Sequence, residues 1–429
     1  MASWPARGLL LLLGLSGCAS LGGEVRRAVR QGDVPGALER YRAWRQERGE
    51  GDPDVLAEVA LGLLANAAAS AEAPRRASGF SALRSLGVRG RDTLEALSER
   101  RGVVAERALV ALWELDGRSG ALPARLGRLL SAEEPERRAL GAAWLGSRRD
   151  SAGLLRLVED PDETVRSAAV RELSRGGHSA ARDALLALAR RDPSASVRAA
   201  AVVALGGLGP EAGPALTEAL SDPDRLVRMM APASLAAAAP SEAEAVLGPF
   251  LTPEPGELSL EAARALASRH VARAEDYLLA SLSSPRAGVR AQAAVAVSML
   301  ARDRARELAR HLEHPDPEVS LRIAALLVRR PELRAGALST LRGLAARPDG
   351  FVAIRALAAL AAEGQEHTLE PVTEALGARE AAVRRLAVLA WPDVTGPSGD
   401  VDPLAPLLLD PDPSVALLAA VEIVLIAAR

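Results

Sequence analysis

From about residue 100 onward the apolar residues fall in short helical stripes, separated by polar turns at a nearly constant spacing. The clearest segments are DPDETVRSAAVREL (160–173), DPSASVRAAAVVAL (192–205), DPDRLVRMMAPASL (222–235) and SPRAGVRAQAAVAV (284–297). HPDPEVSLRIAALL (314–327), RPDGFVAIRALAAL (347–360), REAAVRRLAVLA (379–390) and DPDPSVALLAAVEI (410–423) repeat the pattern. One aliphatic residue anchors each copy: Val165, Val197, Val227, Leu260, Val289, Val319, Val352, Val383 and Val415. Fainter anchors lie upstream at Val104 and Arg137. The intervals from Val104 to Val415 give a period of about 31 residues, the length of a repeat made of two helices. Small or apolar residues recur four and eight positions after the anchor, as with Ala169 and Leu173 after Val165. That is the stripe a helix buries on one side.

The turns have their own chemistry. Proline stands four residues before the anchor at Pro161, Pro193, Pro223, Pro285, Pro315, Pro348 and Pro411, where it ends the preceding helix. A capping residue follows in most copies: Asp162, Ser194, Asp224, Asp316, Asp349 and Asp412. Such side chains accept hydrogen bonds from the first free amides of a helix. Pro317 and Pro413 then fall in the first helical turn, where a missing amide costs nothing. The first helix of each pair carries a stripe of its own, such as Leu154, Leu155 and Val158, or Leu185, Leu186 and Leu188. The pattern predicts an all-α protein, a right-handed α-solenoid of about eleven stacked helical hairpins, each touching only its neighbours. The expected division is a leader over 1–17, a tether with amino-terminal hairpins over 18–70, and the solenoid over 71–429. Residues 71–100 read as a degenerate hairpin. The Pro/Gly-rich stretches 252–256 and 391–403 are expected to bend the array or loosen its joints.

The recurring D-P-x-x-V-R-x-x-A-A resembles the short variety of HEAT repeat that bilin lyases also use. The resemblance implies a ladder in which the acidic turn residue and the arginine after the valine link neighbouring units. The matching positions are Asp162 with Arg166, Asp224 with Arg228, and Arg198, Arg290 and Arg384. Ser320, Ala353 and Ala416 depart from the pattern, so the ladder is expected to break toward the carboxyl end. Near the amino terminus QGDVPGALERYRAW (31–44) resembles the second half of a tetratricopeptide repeat, with Ala37, Tyr41 and Trp44 on one face. Its expected role is a cap on the first HEAT face; a peptide-binding module is the alternative.

Aromatic residues make up 2% of a chain that is 49% apolar, so Ala, Leu and Val supply the bulk. The formal charge of −2 lacks the basic excess of a nucleic-acid binder. Every basic residue other than histidine is arginine, which excludes a P-loop lysine, a Schiff-base lysine and a Ser–Lys dyad. Cys18 is the only cysteine, so neither an intrachain disulfide nor a thiolate metal cluster can form.

Residues 1–17, MASWPARGLLLLLGLSG, place one arginine before an apolar run too short to span a bilayer, then small residues. Leu15-Ser16-Gly17-Cys18 resembles the lipobox of bacterial lipoproteins. That resemblance implies cleavage before Cys18 and lipidation of Cys18. Ala19, where Asp would imply inner-membrane retention, leans toward an outer-membrane location facing the periplasm.

Catalytic signatures are sparse. The histidines are His178, His270, His311, His314 and His367, each near a helix end. HEAT-like deoxyhypusine hydroxylases bind iron through His-Glu dipeptides; this chain has only the reverse, Glu313-His314 and Glu366-His367. No catalytic, cofactor or metal residue is therefore expected, and a HEAT-type hydroxylase or a lyase resembling the bilin enzymes is the alternative. Two apolar features suggest protein partners of unknown identity. The second helices between 197 and 300 are nearly uncharged and carry Met229 and Met230, flexible side chains suited to an adaptable groove. Residues 415–428, VALLAAVEIVLIAA, are greasy on all sides, and Val421, Val424 and Leu425 would dock a partner or a second copy, unless 391–406 folds back over them. The expected function is a lipid-anchored scaffold of the bacterial cell envelope.

Overall fold

The turn residues end and start helices as their chemistry requires. Asp224 accepts a hydrogen bond from the Leu226 amide, Asp316 from Glu318, Asp412 from Ser414, and Asp162 from Thr164. Ser194 makes no such cap; its hydroxyl meets that of Ser196 instead. A computed structural model describes residues 21–116, 126–176, 181–254, 256, 258–300, 304–347, 350–365, 369–396 and 399–428. Every regular element among them is helical. Pro348 and Asp349 lie outside the described residues, as does the whole segment 1–20 with Cys18.

The chain divides into two compact units, one formed by residues 119–340 and the other by residues up to 118 together with 341–429. The 119–340 unit is a stack of hairpins. Its second helices include Glu163–Gly176, Ala195–Leu205, Arg225–Ala238, Ser259–Ala267, Ala287–Ala296 and Pro317–Leu327, and consecutive ones pack side by side. Each also packs on its own first helix, as Ala195–Leu205 does on Arg182–Arg191. The anchors Val165, Val197, Val227 and Val319 are fully buried, and Leu260 nearly so, while Val289 is half-buried. Alanine dominates the layer between second helices (Ala169, Ala201, Ala231, Ala262), which lets helix axes approach closely without aromatic bulk.

The other unit is built from both ends of the chain. The helices Leu21–Gln31, Val34–Arg48, Pro53–Ala68 and Ala73–Ser85 share one hydrophobic core with Gly350–Ala362, Ala381–Thr395 and Pro413–Ala427. Pro53–Ala68 lies directly on Pro413–Ala427, the tightest pairing in the unit between segments distant in sequence. It begins as the late second helices do: Asp52 caps the amides of Asp54 and Val55, Pro53 takes the first turn, and Val55 is buried. Gly79 lets Ala73–Ser85 come close beside it, because a Cβ there would stand 2.3 Å from the Ala68 nitrogen.

Two expectations are corrected. Residues 18–70 were expected to be a tether and hairpins that cap the first HEAT face; from Leu21 onward they are helical and share a core with residues 341–429, covering the last helix. The greasy last helix was expected to meet a partner, a second copy or the preceding loop. It is covered by Pro53–Ala68 of its own chain and by the 3-10 segment Asp402–Leu409. Val424 is buried, and Val421 and Leu425 are half-buried against the same core. Likewise the region 391–403 is not wholly a loosened joint. The helix Ala381–Thr395 continues through Pro392, and Trp391 is buried with its indole nitrogen donating to the Asp400 carbonyl at 2.9 Å.

A clasp fixes the two ends of this unit. The Tyr41 hydroxyl donates to Asp402 Oδ1 at 2.6 Å, and Arg45 Nε sits 2.8 Å from Asp402 Oδ2. Burial, and then the bond to Asp402, push the Tyr41 hydroxyl well above its usual pKa, so it remains a donor. Gly51 makes room for the carboxylate: a Cβ there would lie 2.2 Å from Asp402 Oδ2.

Val227→Asp should bury an unpaired carboxylate between second helices and cost about 3 kcal/mol or more, read as a lowered denaturation midpoint. A folded variant of unchanged stability would break the register drawn above. Deleting residues 410–429 should strip cover from Val55 and Val59 and abolish slow amide exchange in Pro53–Ala68; retained protection would show that the last helix is dispensable there.

Candidate interaction surface

The arginine after the anchor joins repeats, but with a partner two residues earlier than expected. Arg166 makes a two-pronged bond to Asp192 of the next repeat, at 2.8 and 2.9 Å. Arg138 does the same with Asp160, Arg198 with Asp222, and Arg384 with Asp410. The acceptor is thus the aspartate before the turn proline. Asp162 and Asp224 do not form the ladder; their carboxylates cap the helices that follow them. The other edge of each guanidinium closes its own turn: Arg166 Nη1 donates to the carbonyls of Asp160 and Pro161. Each ladder aspartate also takes an amide two residues on, as Asp160 takes that of Asp162. One side chain therefore ties two repeats and one turn.

This signature finds repeats that lack the valine. Arg138 bonds the carbonyls of Ala132 and Glu133, which confirms the register of the faint anchor Arg137. Arg76 bonds those of Ser70 and Ala71 and is buried. The segment that read as degenerate thus carries the same turn clamp. The sequence clue was an Arg-Arg pair within three residues of a proline, in APRR (73–76) and PERR (135–138). Departures are compensated locally. Where the ladder aspartate is His314, its Nδ1 accepts the Asp316 amide, Arg290 turns to Asp316 at 2.9 Å, and Ser320 bonds the His314 carbonyl. The ladder is interrupted at Ser320 yet resumes at Arg384, so it does not fail simply toward the carboxyl end.

The outward faces of the second helices Ala195–Leu205 and Arg225–Ala238 are set by the positions one before and three, six and ten after the anchor, whereas the same positions around Leu260 are buried at Ser259, Ala263 and Leu266. In the 119–340 unit this face is nearly uncharged over two adjacent repeats, with Val203 49% and Leu226 48% exposed alongside Ala233 and Ala237. Val295 of a later repeat, at the same position as Val203, is 50% exposed. In the other unit Phe351 is 43% and Leu389 53% exposed, with Leu386, Leu418, Val421 and Leu425 half-buried. The residues singled out from sequence sort by this register. Met230, Val421 and Leu425 take outward positions, whereas Val424 faces the core and Met229, half-buried, takes a position that is mostly interlayer. Val203, Leu226, Phe351 and Leu389 were not singled out. The −1 and +6 positions of the repeat would have shown them.

Among the described residues no group of three or more His, Cys, Asp or Glu is placed to hold a metal ion. His178 and His367 lie outside the described residues. His270 is exposed at a positive φ of 59°. The His311 and His314 rings lie 5.9 Å apart, and burial, then His314 and Arg310, hold His311 below its usual pKa. A shallow recess lined by Arg45, Glu50, Asp400 and Asp402 belongs to the Tyr41 clasp, whose carboxylate is already satisfied. No described helix is long and apolar enough to cross a membrane.

Residues 122–206 and 182–257 match the family model for HEAT repeats, and this stretch is made of them. No curated protein matches the chain. Among solved structures, YibA of Escherichia coli is 18% identical, with 69% of this chain and 98% of that one covered at a TM-score of 0.31. The complex of CpcE and CpcF of phycocyanin lyase from a Nostoc species is 22% identical, with 56% and 94% covered and a TM-score of 0.30. Kap121p is 13% identical, with 93% of this chain and 52% of that one covered and a TM-score of 0.42.

Asp192→Ala should leave the Arg166 guanidinium buried without its partner and cost about 2–4 kcal/mol in denaturation. In a double-mutant cycle with Arg166→Met the loss should be largely recovered; additive losses would mean the pair links nothing. Acid should weaken the same joints. The bond to Arg138 holds the Asp160 carboxyl below its ordinary value. Burial raises that of Asp222, but its bond to Arg198 and the Asp224 amide outweigh this and lower it. Both carboxylates bind protons less tightly folded than unfolded. Their contribution is complete above the ordinary carboxylate range and is lost as pH falls through the depressed values. Unfolding midpoints by circular dichroism should therefore drop steeply below about pH 4. His311 is also held below its usual 6.5, so its neutral form is favoured by folding. That contribution is full above 6.5 and is lost at lower pH, and His311→Gln should flatten the stability profile between there and the carboxylate range.

Proposed function

We propose that the protein is a lipid-anchored scaffold of the bacterial cell envelope, which presents the outward faces of its second helices to protein partners and performs no catalysis itself. The observation that carries this reading is the division of labour within the repeat. Its ladder arginines and aspartates are bonded into turns and neighbouring repeats, while the aliphatic side chains of Val203 and Leu226 stand outward on the second helices of adjacent repeats. Apolar groups held outward on a rigid stack match the anchors that partners fill in protein interfaces. Binding surface of this kind needs no reacting group.

The anchor rests on the sequence. Leu15-Ser16-Gly17-Cys18 has the lipobox pattern behind a short apolar run, and the sulfur of Cys18 would carry the lipid. More than one acyl chain is needed for stable anchoring, since a single chain gives only marginal binding. Ala19 favours the outer membrane facing the periplasm.

Two measurements test the reading. Intact mass spectrometry of the protein from a bacterial envelope should show cleavage before Cys18 and acyl chains upon it, and Cys18→Ser should leave the precursor unprocessed. A mature protein without acyl mass would remove the anchor. Photo-crosslinking residues at positions 203 and 226 should capture discrete protein partners in the envelope, whereas the same group at Ser174, exposed outside the positions that define the outward face, should not. Equal or absent capture from both places would remove the scaffold surface.

A further inference from the structure

In the 119–340 unit three joints are bridged by an arginine held on the aspartate five residues before the anchor: Asp160, Asp192 or Asp222. Between Ala287–Ala296 and Pro317–Leu327 that position is His314, and the link is made differently. Arg290 bonds Asp316 instead, and His314 Nδ1 accepts the Asp316 amide at 3.0 Å. Nδ1 can accept only while it carries no proton. A second imidazole stands beside it, the half-buried His311, with 5.9 Å between ring centres. The anchor Val289 is only half-buried, whereas Val165, Val197 and Val227 are fully buried, so less apolar contact backs the polar link.

The elements packed at this turn set the charges around the two rings. Arg290 enters from Ala287–Ala296 and is paired with Asp316. The first helix of the hairpin and its end bring Arg306, Glu307 and Arg310, of which Glu307 is paired with Arg304. Glu313 is exposed in the turn, and on Pro317–Leu327 Glu318 is paired with Arg322. Leu312 lies against Gly336 of the following helix, whose Arg334 bonds the Val328 carbonyl. Burial, then His314 and Arg310, hold His311 below its usual pKa. A proton on His314 Nδ1 would point an N–H at the amide that nitrogen now accepts. The charged ring would also compete with Arg290 for the Asp316 carboxylate. Closing the joint thus excludes protons. Its stability is complete above the ordinary imidazole value of about 6.5 and is lost as pH falls below it, where aspartate bridges keep their charge.

We propose that the turn 311–316 is an acid-sensitive joint of the stack, closed while His311 and His314 are neutral and opened when they take up protons. The hairpin ending in Pro317–Leu327 then loosens from Ala287–Ala296 at mildly acidic pH, while the aspartate-bridged joints stay closed.

Hydrogen exchange of the full-length protein, read by mass spectrometry at pH 7.5 and 5.5 and corrected for the pH dependence of free amides, tests this. Exchange in Ala287–Ala296 and Pro317–Leu327 should speed up about tenfold at pH 5.5 for each proton excluded. Ala195–Leu205 and Arg225–Ala238, joined through Arg198 and Asp222, should keep their protection. His314→Asp restores the aspartate of the other joints, and His314→Asn supplies an oxygen that accepts at any pH. Either one, combined with His311→Gln and folded at pH 7.5, should remove the acid response. Equal change in all four helices, or none, overturns the joint. An undiminished response in a folded double variant overturns the part given to the histidines.

Discussion

A helical hairpin of about thirty residues has more apolar surface than its two helices can hide from water by themselves. Every feature of this protein follows from where that surplus goes. Within the 119–340 unit it goes onto the next hairpin, through layers of alanine, valine and leucine that bring second helices side by side. Pro413–Ala427 packs on no later hairpin among the described residues. Its surplus is covered by Pro53–Ala68, a helix that starts with the same cap, proline and valine as the late second helices. The first part of the chain thus does for the last repeat what each repeat does for the one before it.

Polar groups follow the same logic of adjacency. A guanidinium after the anchor can reach both its own turn and the aspartate of the following turn, because stacking places that aspartate within bonding distance. The two-pronged geometry fixes direction as well as distance, so it sets the register of one hairpin on the next. Ladder pairs such as Arg166 with Asp192 are nearly withdrawn from solvent. They therefore cost more to break in half than an exposed pair would, and less to replace as a whole. At His314 the same geometry survives a change of residue, since an imidazole nitrogen can accept the turn amide that an aspartate accepts elsewhere. With turns and ladders satisfied inside the stack, what remains outward on the second helices 195–205 and 225–238 is small or aliphatic.

The period, the helix pairs, the stopping prolines and most caps were legible in the residues, because each is a local property. A proline stops a helix whatever lies beyond it, and an aspartate caps the amides two and three residues on. The buried state of Val165, Val197, Val227 and Val319 was legible for the same reason: a stripe of fixed spacing can only face a neighbour. The arginine of the ladder was legible too, but its partner was not. Asp160 and Asp162 look alike in sequence, and only the approach of the next hairpin decides which is a cap and which a bridge.

Tertiary structure alone decided the fate of the chain's two ends. Leu38, Tyr41, Val59 and Leu64 form ordinary apolar helix faces, and nothing local to them names residues 404–426 as their neighbours. The same holds for Asp402, whose burial between Tyr41 and Arg45 depends on contacts across 361 positions of sequence. A greasy last helix announces that something must cover it. Which segment does so is settled by the folded path of the whole chain, through contacts whose sequence separation leaves no pattern to read.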